Sequence, residues 1–107
     1  MVARGDVIWA DLGPPRGRRP LCVLTRDAAI SVLTSVTCAP LTRTIRGIRS
    51  EVEIGTDEGL PSTSVIACDA LVSVPLSLLD AQPVGHLDMA TRAKLDGALR
   101  YALDILY

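Results

Sequence analysis

Two short stretches carry the residue types that could do chemistry. Arg18-Arg19-Pro20 opens an apolar run, Leu21 to Leu24, that predicts a strand entering a core. Ala39-Pro40-Leu41-Thr42-Arg43 closes another, Ser35 to Ala39. If those strands are antiparallel neighbours, the start of one lies beside the end of the next, and Arg19 and Thr42 project into one pocket. Pro20 and Pro40 restrict the residues before them to extended backbone. Such a pocket permits narrow chemistry. An isolated guanidinium stays protonated in water and makes a poor base. It can clamp a phosphate through two hydrogen bonds and neutralise charge developing on a pentacovalent phosphorus. A threonine hydroxyl can donate to the same oxygens. The natural nucleophile is then carried by the substrate, the 2′-OH of RNA, already adjacent to its phosphate. The plainer alternative is that Arg19 merely pairs with an acid.

Other catalytic arrangements are poorly represented. His86 is the single histidine, so a two-histidine nuclease is excluded, and a surface or structural role is expected for it. No HExxH, P-loop or GxGxxG pattern occurs. Glu51 and Glu53 alternate on a short strand and read as solvation of an edge. Cys22, Cys38 and Cys68 are odd in number and lie in apolar stretches, which fits three buried small side chains rather than a metal site or a disulfide framework. No metal or cofactor is expected.

Charge is unevenly placed. Residues 1–49 hold eight arginines against three aspartates, +5, whereas residues 50–107 hold three basic groups against nine acids, −6. A basic half suggests a face for an anionic partner, and arginine suits bidentate phosphate contact. Arg16, Arg18, Arg43, Arg46 and Arg49 are the candidate RNA contacts, the last three on a loop expected to be mobile over the substrate. There is no Phe, one Trp and two Tyr, which argues against a platform of stacked aromatics.

The elements that must position these groups follow from pattern. The 107 residues fit one domain, 1–107, and 49% hydrophobic content permits a core built from Val, Leu, Ile and Ala. Strands are expected at Val7–Leu12, Leu21–Leu24, Ser35–Ala39 (ended by Pro40), Val52–Ile54, Ser64–Cys68 and Ala70–Val74, the last two separate or one bent strand. "PLSLLD" reads as a short turn or helical segment. Asp88 is an N-cap for a terminal helix whose Leu95, Leu99, Ala102, Leu103 and Leu106 share one face, with Gly97 implying close packing. The fold class is α+β: a small curled antiparallel sheet or barrel of six or seven strands with a C-terminal helix. The apolar surplus suggests a homodimer. No membrane-spanning run exists, and the start reads as mature, cytoplasmic protein.

Several ordered motifs resemble one family. "RGDVIWADLGPPRG" followed by "RRPLCVLTRD", then "VTCAPLTRTIRG", "EVEIGTDEGLPSTSVIACDAL" and "VGHLD" closely resemble MazF/PemK-like toxins of bacterial type II toxin–antitoxin systems, over nearly the whole chain. The resemblance implies a homodimeric endoribonuclease that cuts single-stranded RNA without a metal, leaving 2′,3′-cyclic phosphate and 5′-hydroxyl ends. It carries catalytic roles to Arg19, for phosphate stabilisation and acid–base assistance, and to Thr42, for holding the scissile phosphate. It implies an antitoxin partner whose acidic, disordered tail occupies the RNA groove. Many relatives have a longer first loop with Gly-Ser-Glu before the Arg-Pro; "GPPRGRRP" omits that Glu, leaving the groove more open with Arg16 and Arg18 as substitute contacts. The rival is a CcdB-like toxin, similar in fold, which binds gyrase without cleaving anything and acts through its C-terminus. "LDILY" lacks a Trp-Gly-Ile-like ending.

Overall fold

A computed structural model describes residues 1–106. Seven strands form a curled antiparallel sheet: β1 (Asp6–Asp11), β2 (Arg18–Val23), β3 (Ser35–Thr42), β4 (Glu51–Ile54), β5 (Ser64–Ala67), β6 (Val72–Pro75) and β7 (Gly85–His86). A short helix α1 (Asp27–Ile30) follows β2, and α2 (Met89–Ala102) ends the fold. The strand order is β4-β5-β3-β2-β1-β7, with β6 also pairing β3. The α+β class and the curled sheet are as expected, but α1 and the two-residue β7 have too little sequence to carry a periodic signal.

The central strands are buried on both faces, which is why they read as unbroken apolar runs. Alternation sends Val7, Cys22 and Ala39 into one cluster with Val52, Ile66 and Leu95, and Ile8, Leu21 and Cys38 into another with Val36 and Val74. The register agrees: Val7 faces Cys22, Ile8 faces Leu21, and Cys22 faces Ala39.

β3 joins the two halves. Ser35–Cys38 pairs with β6, Cys38–Pro40 with β2, and Leu41–Thr42 with β5. Pro40 therefore lies inside the strand and does not end it. Its missing N–H is tolerated because the second edge of β3 changes partner between Cys38 and Leu41, from Val72 to Ile66. The β2–β3 ladder stops at Leu21 opposite Pro40, where Pro20, next in register and opposite Leu41, has no N–H to donate to β3. Beyond that point the strand ends part and a cleft opens between them. Ser64–Ala67 and Val72–Pro75 are two strands in different halves of the sheet, separated by the turn at Cys68 and Asp69, which the Ala70 N–H closes on the Ala67 carbonyl.

The Asp88 carboxylate caps α2, accepting from the Thr91 N–H at 2.7 Å. Leu95 and Ala98 are the buried residues of the helix. The expected apolar face is shorter than its spacing suggests, because α2 stops at Ala102 and leaves Leu103 and Leu106 52% and 94% exposed. Tyr107 lies outside the described residues. Gly97 makes no close approach: a Cβ there would meet nothing within 4 Å among the described residues. It lies off the Leu95–Ala98 face, so the core does not require a small residue at that position.

The three cysteines are free and buried. Burial pushes the thiols of Cys22 and Cys38 up to about 12, and that of Cys68 to about 11. Thiolate is the reactive form, so none should react with a thiol reagent such as DTNB while the chain is folded, and all three should react in denaturant. The linkage has a definite sign. Above pH 9, the ordinary thiol value, the unfolded chain releases protons that the folded chain keeps, so stability should fall as pH rises from 9 towards 12. Chemical denaturation at pH 7, 9 and 10.5 checks this; a flat or rising profile contradicts it.

Candidate active site

The cleft between the ends of β2 and β3 has a volume of about 850 Å³ and is lined by both catalytic candidates, Arg19 and Thr42. Counting on from Leu21 opposite Pro40, Arg19 stands opposite Thr42, and alternation puts both on the same face of the sheet. The antiparallel arrangement inferred from sequence is therefore the one present. No carboxylate lies within ion-pair distance of Arg19 among the described residues, so the plainer reading, an arginine neutralised by an acid, is not realised.

Thr42 is held in a defined way. Its Oγ1 accepts the Thr44 N–H at 3.1 Å. With one lone pair committed to the backbone, the hydroxyl proton is left as the group offered to a ligand. Arg19 offers up to five N–H donors beside it. The pair can bind an oxyanion and stabilise negative charge that grows on it.

The proposed RNA contacts divide. Arg16, Arg18 and Arg43 line the cleft. Arg16 is carried by the tight β1–β2 turn, closed by Gly17 N–H to Gly13 O at 2.7 Å and Leu12 N–H to Gly17 O at 3.0 Å. Arg18 is also bidentate to Asp80, Nη1 at 3.0 Å and Nη2 at 2.7 Å, and its guanidinium lies 5.9 Å from the Trp9 ring centroid. Arg46 is exposed and lines no part of the cleft. Arg49 lies against a different hollow with Arg100, its guanidinium 4.4 Å from the Tyr101 ring centroid. The intervening loop is tied down. Glu51, read from sequence as a solvated edge residue, accepts the N–H groups of Arg46 and Gly47 at 3.0 and 3.1 Å. Ser50, buried, donates its hydroxyl to Asp69.

Other basic groups have structural work. Arg4 donates Nε to the Leu24 carbonyl at 3.0 Å and Nη2 to Asp96 at 2.9 Å, tying α2 to the end of β2. His86 is mainly exposed, its Nδ1 3.6 Å from the buried Asp6 carboxylate, and it lines no part of the cleft.

Sequence reasoning missed part of the cleft. Trp9 lines one side, and Leu60, Pro61, Ser62 and Ser64 form another. The Ser62 Oγ is buried with no hydrogen-bond partner among the described residues. The signal for this wall was Gly59-Leu60-Pro61, a turn followed by an apolar residue and a rigid one, but nothing local indicates which strand it faces.

Comparison with known proteins places the chain in a family and a fold. The family described as "PemK-like, MazF-like toxin of type II toxin-antitoxin system" matches residues 3–103. The chain is 43% identical over 107 residues to "Probable endoribonuclease MazF5" of Mycobacterium tuberculosis, covering 97% of this chain and 94% of that protein. It is 37% identical to "Endoribonuclease MazF3" of the same species, over 81% of this chain and 84% of that one. Among solved structures, "Mycobacterium tuberculosis toxin MazF-mt6" superposes with a TM-score of 0.87 at 32% identity, covering 95% of this chain and 99% of that one. A mycobacterial "Endoribonuclease in complex with its cognate antitoxin" superposes with a TM-score of 0.86 at 26% identity, covering 100% and 99%. With nearly its full length matched in sequence and in fold, the chain belongs to the PemK-like, MazF-like toxins of type II toxin–antitoxin systems.

Proposed function

We propose that this protein is an endoribonuclease toxin that cleaves single-stranded RNA in the cleft between β2 and β3, without a metal. The observation that carries this is an arginine with no acidic partner among the described residues and a threonine whose Oγ1 accepts a backbone N–H and leaves its proton to donate, facing each other across a cleft lined by further arginines. Relatives at 43% and 37% identity are named as endoribonucleases.

The substrate's 2′-oxygen attacks the adjacent phosphorus, forming the P–O2′ bond while the P–O5′ bond breaks; water takes the 2′ proton. Arg19 stabilises the extra charge on the non-bridging oxygens. The departing 5′-alkoxide is more basic than a neutral guanidine, so Arg19 can also hand it a proton. Thr42 donates its hydroxyl to the phosphoryl group and fixes it against Arg19. The products are a 2′,3′-cyclic phosphate and a 5′-hydroxyl. Arg16, Arg18 and Arg43 contact phosphates flanking the cut, and Arg46 and Arg49 meet RNA that extends along their loop.

The partner is a cognate antitoxin with an acidic tail that competes for the same arginines. One solved relative is described as an endoribonuclease in complex with its antitoxin, which supports this assignment. The active form is a homodimer; Tyr101, Leu103, Ile105 and Leu106 leave apolar surface that a single chain does not cover.

The test is direct. Purified protein is incubated with single-stranded RNA in EDTA and the product ends are sequenced. Cleavage to 5′-hydroxyl ends is expected. Intact RNA together with inhibition of gyrase in a parallel assay would instead indicate a CcdB-like protein poison.

A further inference from the structure

Asp80 is placed as no sequence motif required. It follows a 3-10 turn at Leu76–Leu78, and its backbone N–H donates to the Trp9 carbonyl at 2.9 Å. A bridge between Ala10 and Leu79 fixes the same segment against β1. The Asp80 carboxylate is thus anchored by its backbone, and its side chain is not needed for that anchoring. The side chain is used on Arg18, in two parallel bonds.

That is the arrangement in which a guanidinium takes a phosphate. Arg18 and Trp9 both line the cleft, so the carboxylate holds a guanidinium that could otherwise serve the substrate. Arg18 also sits by the Trp9 ring, a second contact that keeps it near the cleft when its anion is exchanged. The side chains of Arg18 and Asp80 are 53% and 39% exposed, so water screens the pair and makes it easy to open. The bond to Arg18 holds the Asp80 carboxyl below its ordinary range, so it is ionised at neutral pH and competes with an incoming phosphate for that guanidinium. Arg16, Arg19 and Arg43 share the cleft with no ion-pair partner among the described residues, so an arriving strand meets net positive charge.

We propose that Asp80 holds Arg18 in reserve: when RNA enters the cleft, Arg18 exchanges the Asp80 carboxylate for a backbone phosphate beside the cut, so Asp80 sets the RNA affinity from outside the catalytic pair. This rests on the RNA-cleaving reading and adds a residue that neither Arg19 nor Thr42 touches. The consequence is a toxin that binds RNA less tightly than its arginines allow. Asp80 is a positioning residue in this scheme, since it acts only through Arg18.

A double-mutant cycle tests it. Wild type, Asp80→Asn, Arg18→Ala and the double variant are titrated with a short single-stranded RNA whose riboses are 2′-O-methylated, which cannot be cut by the proposed route. Affinities are read by anisotropy at several salt concentrations. Asp80→Asn keeps the backbone bond to Trp9 and should tighten binding by about 5-fold. Arg18→Ala should weaken it by a similar factor and lower the salt slope by about one. In the Arg18→Ala background, Asp80→Asn should change affinity by less than about 2-fold, as expected for residues acting through one interaction. The proposal is overturned if Asp80→Asn weakens binding or leaves it unchanged, or if it tightens binding equally with and without Arg18. If wild type binds and the cycle takes one of those forms, only the reserve role fails. If none of the four proteins binds RNA, the nuclease reading fails and this one with it.

Discussion

Arg19→Ala should lower kcat/KM for RNA cleavage by about 10²–10³-fold, the scale on which removing a preorganised donor to a developing oxyanion acts. The reason is its place in the fold. Arg19 sits in the exposed first part of β2, separated only by Pro20 from three buried residues, Leu21, Cys22 and Val23. Arg19 itself is paired with Ala10 of β1, and the strand behind it is held on both sides by β1 and β3, so the backbone that carries the guanidinium does not have to reorganise as charge builds. Arg19→Lys should recover part of the loss, because a point charge remains, but not the two-bond geometry. Folding should be unaffected, since Arg19 is exposed and makes no ion pair among the described residues. Arg26→Ala, at the exposed N-cap of α1, is the control and should cleave at the wild-type rate. Single-turnover kinetics with thermal melts of each variant separates chemistry from stability. Equal rates for Arg19→Ala and Arg26→Ala would remove Arg19 from the reaction.

Gly59→Ala should be the most damaging of the glycine substitutions to the fold. Gly59 ends the 3-10 turn Thr56–Glu58 with φ +86°, a conformation that costs an L side chain about 1–2 kcal/mol. A Cβ there would also overlap the Val84 carbonyl. That carbonyl belongs to backbone just before β7, where the Val84 N–H donates to Val7 O at 2.8 Å, so it cannot give way without disturbing β1. A Cβ on Gly85 would meet the Glu58 carbonyl in the same manner, so the two segments pass backbone to backbone. A total loss of about 3 kcal/mol or more is expected, with Tm falling by at least about 10 °C. Gly13→Ala provides the comparison. Gly13 also has positive φ, +72°, but a Cβ there meets nothing within 4 Å, so only the conformational part should be lost. Equal losses for the two variants would show that the close approach at Gly59 has no energetic weight. Because Leu60, Pro61 and Ser62 follow Gly59 and line the cleft, Gly59→Ala should weaken RNA cleavage along with stability.

Much of this site was legible before any fold was known. Two apolar runs with proline at the ends suffice to suggest that Arg19 and Thr42 meet, because antiparallel pairing brings the start of one strand to the end of its neighbour. What sequence could not show was how β3 behaves. Pro40 reads as a terminator, since a proline removes a ladder donor; it is tolerated because β3 changes partners there, which is a tertiary fact. The charge count also hid a division of labour. Eight arginines in residues 1–49 look alike on paper, yet Arg4 binds Leu24 and Asp96 and Arg18 binds Asp80, whereas Arg16, Arg19 and Arg43 line the cleft with no ion pair among the described residues. Partners 92 and 62 residues away cannot be read from local pattern. The helix face failed for a simpler reason: Leu103 and Leu106 keep the apolar period after the hydrogen-bonded helix has ended at Ala102.

In the proposed mechanism a guanidinium and a hydroxyl grip one phosphate while the neighbouring sugar supplies the attacking oxygen. Replacing only the ribose 5′ to the cut by deoxyribose, in an otherwise identical RNA, removes that oxygen and leaves the phosphate contacts in place. Single-turnover cleavage of the two strands should show complete protection of the deoxy-substituted bond, with binding affinity little changed. Cleavage of both strands at equal rates would mean that the attacking group comes from elsewhere, and Arg19 and Thr42 would need another role.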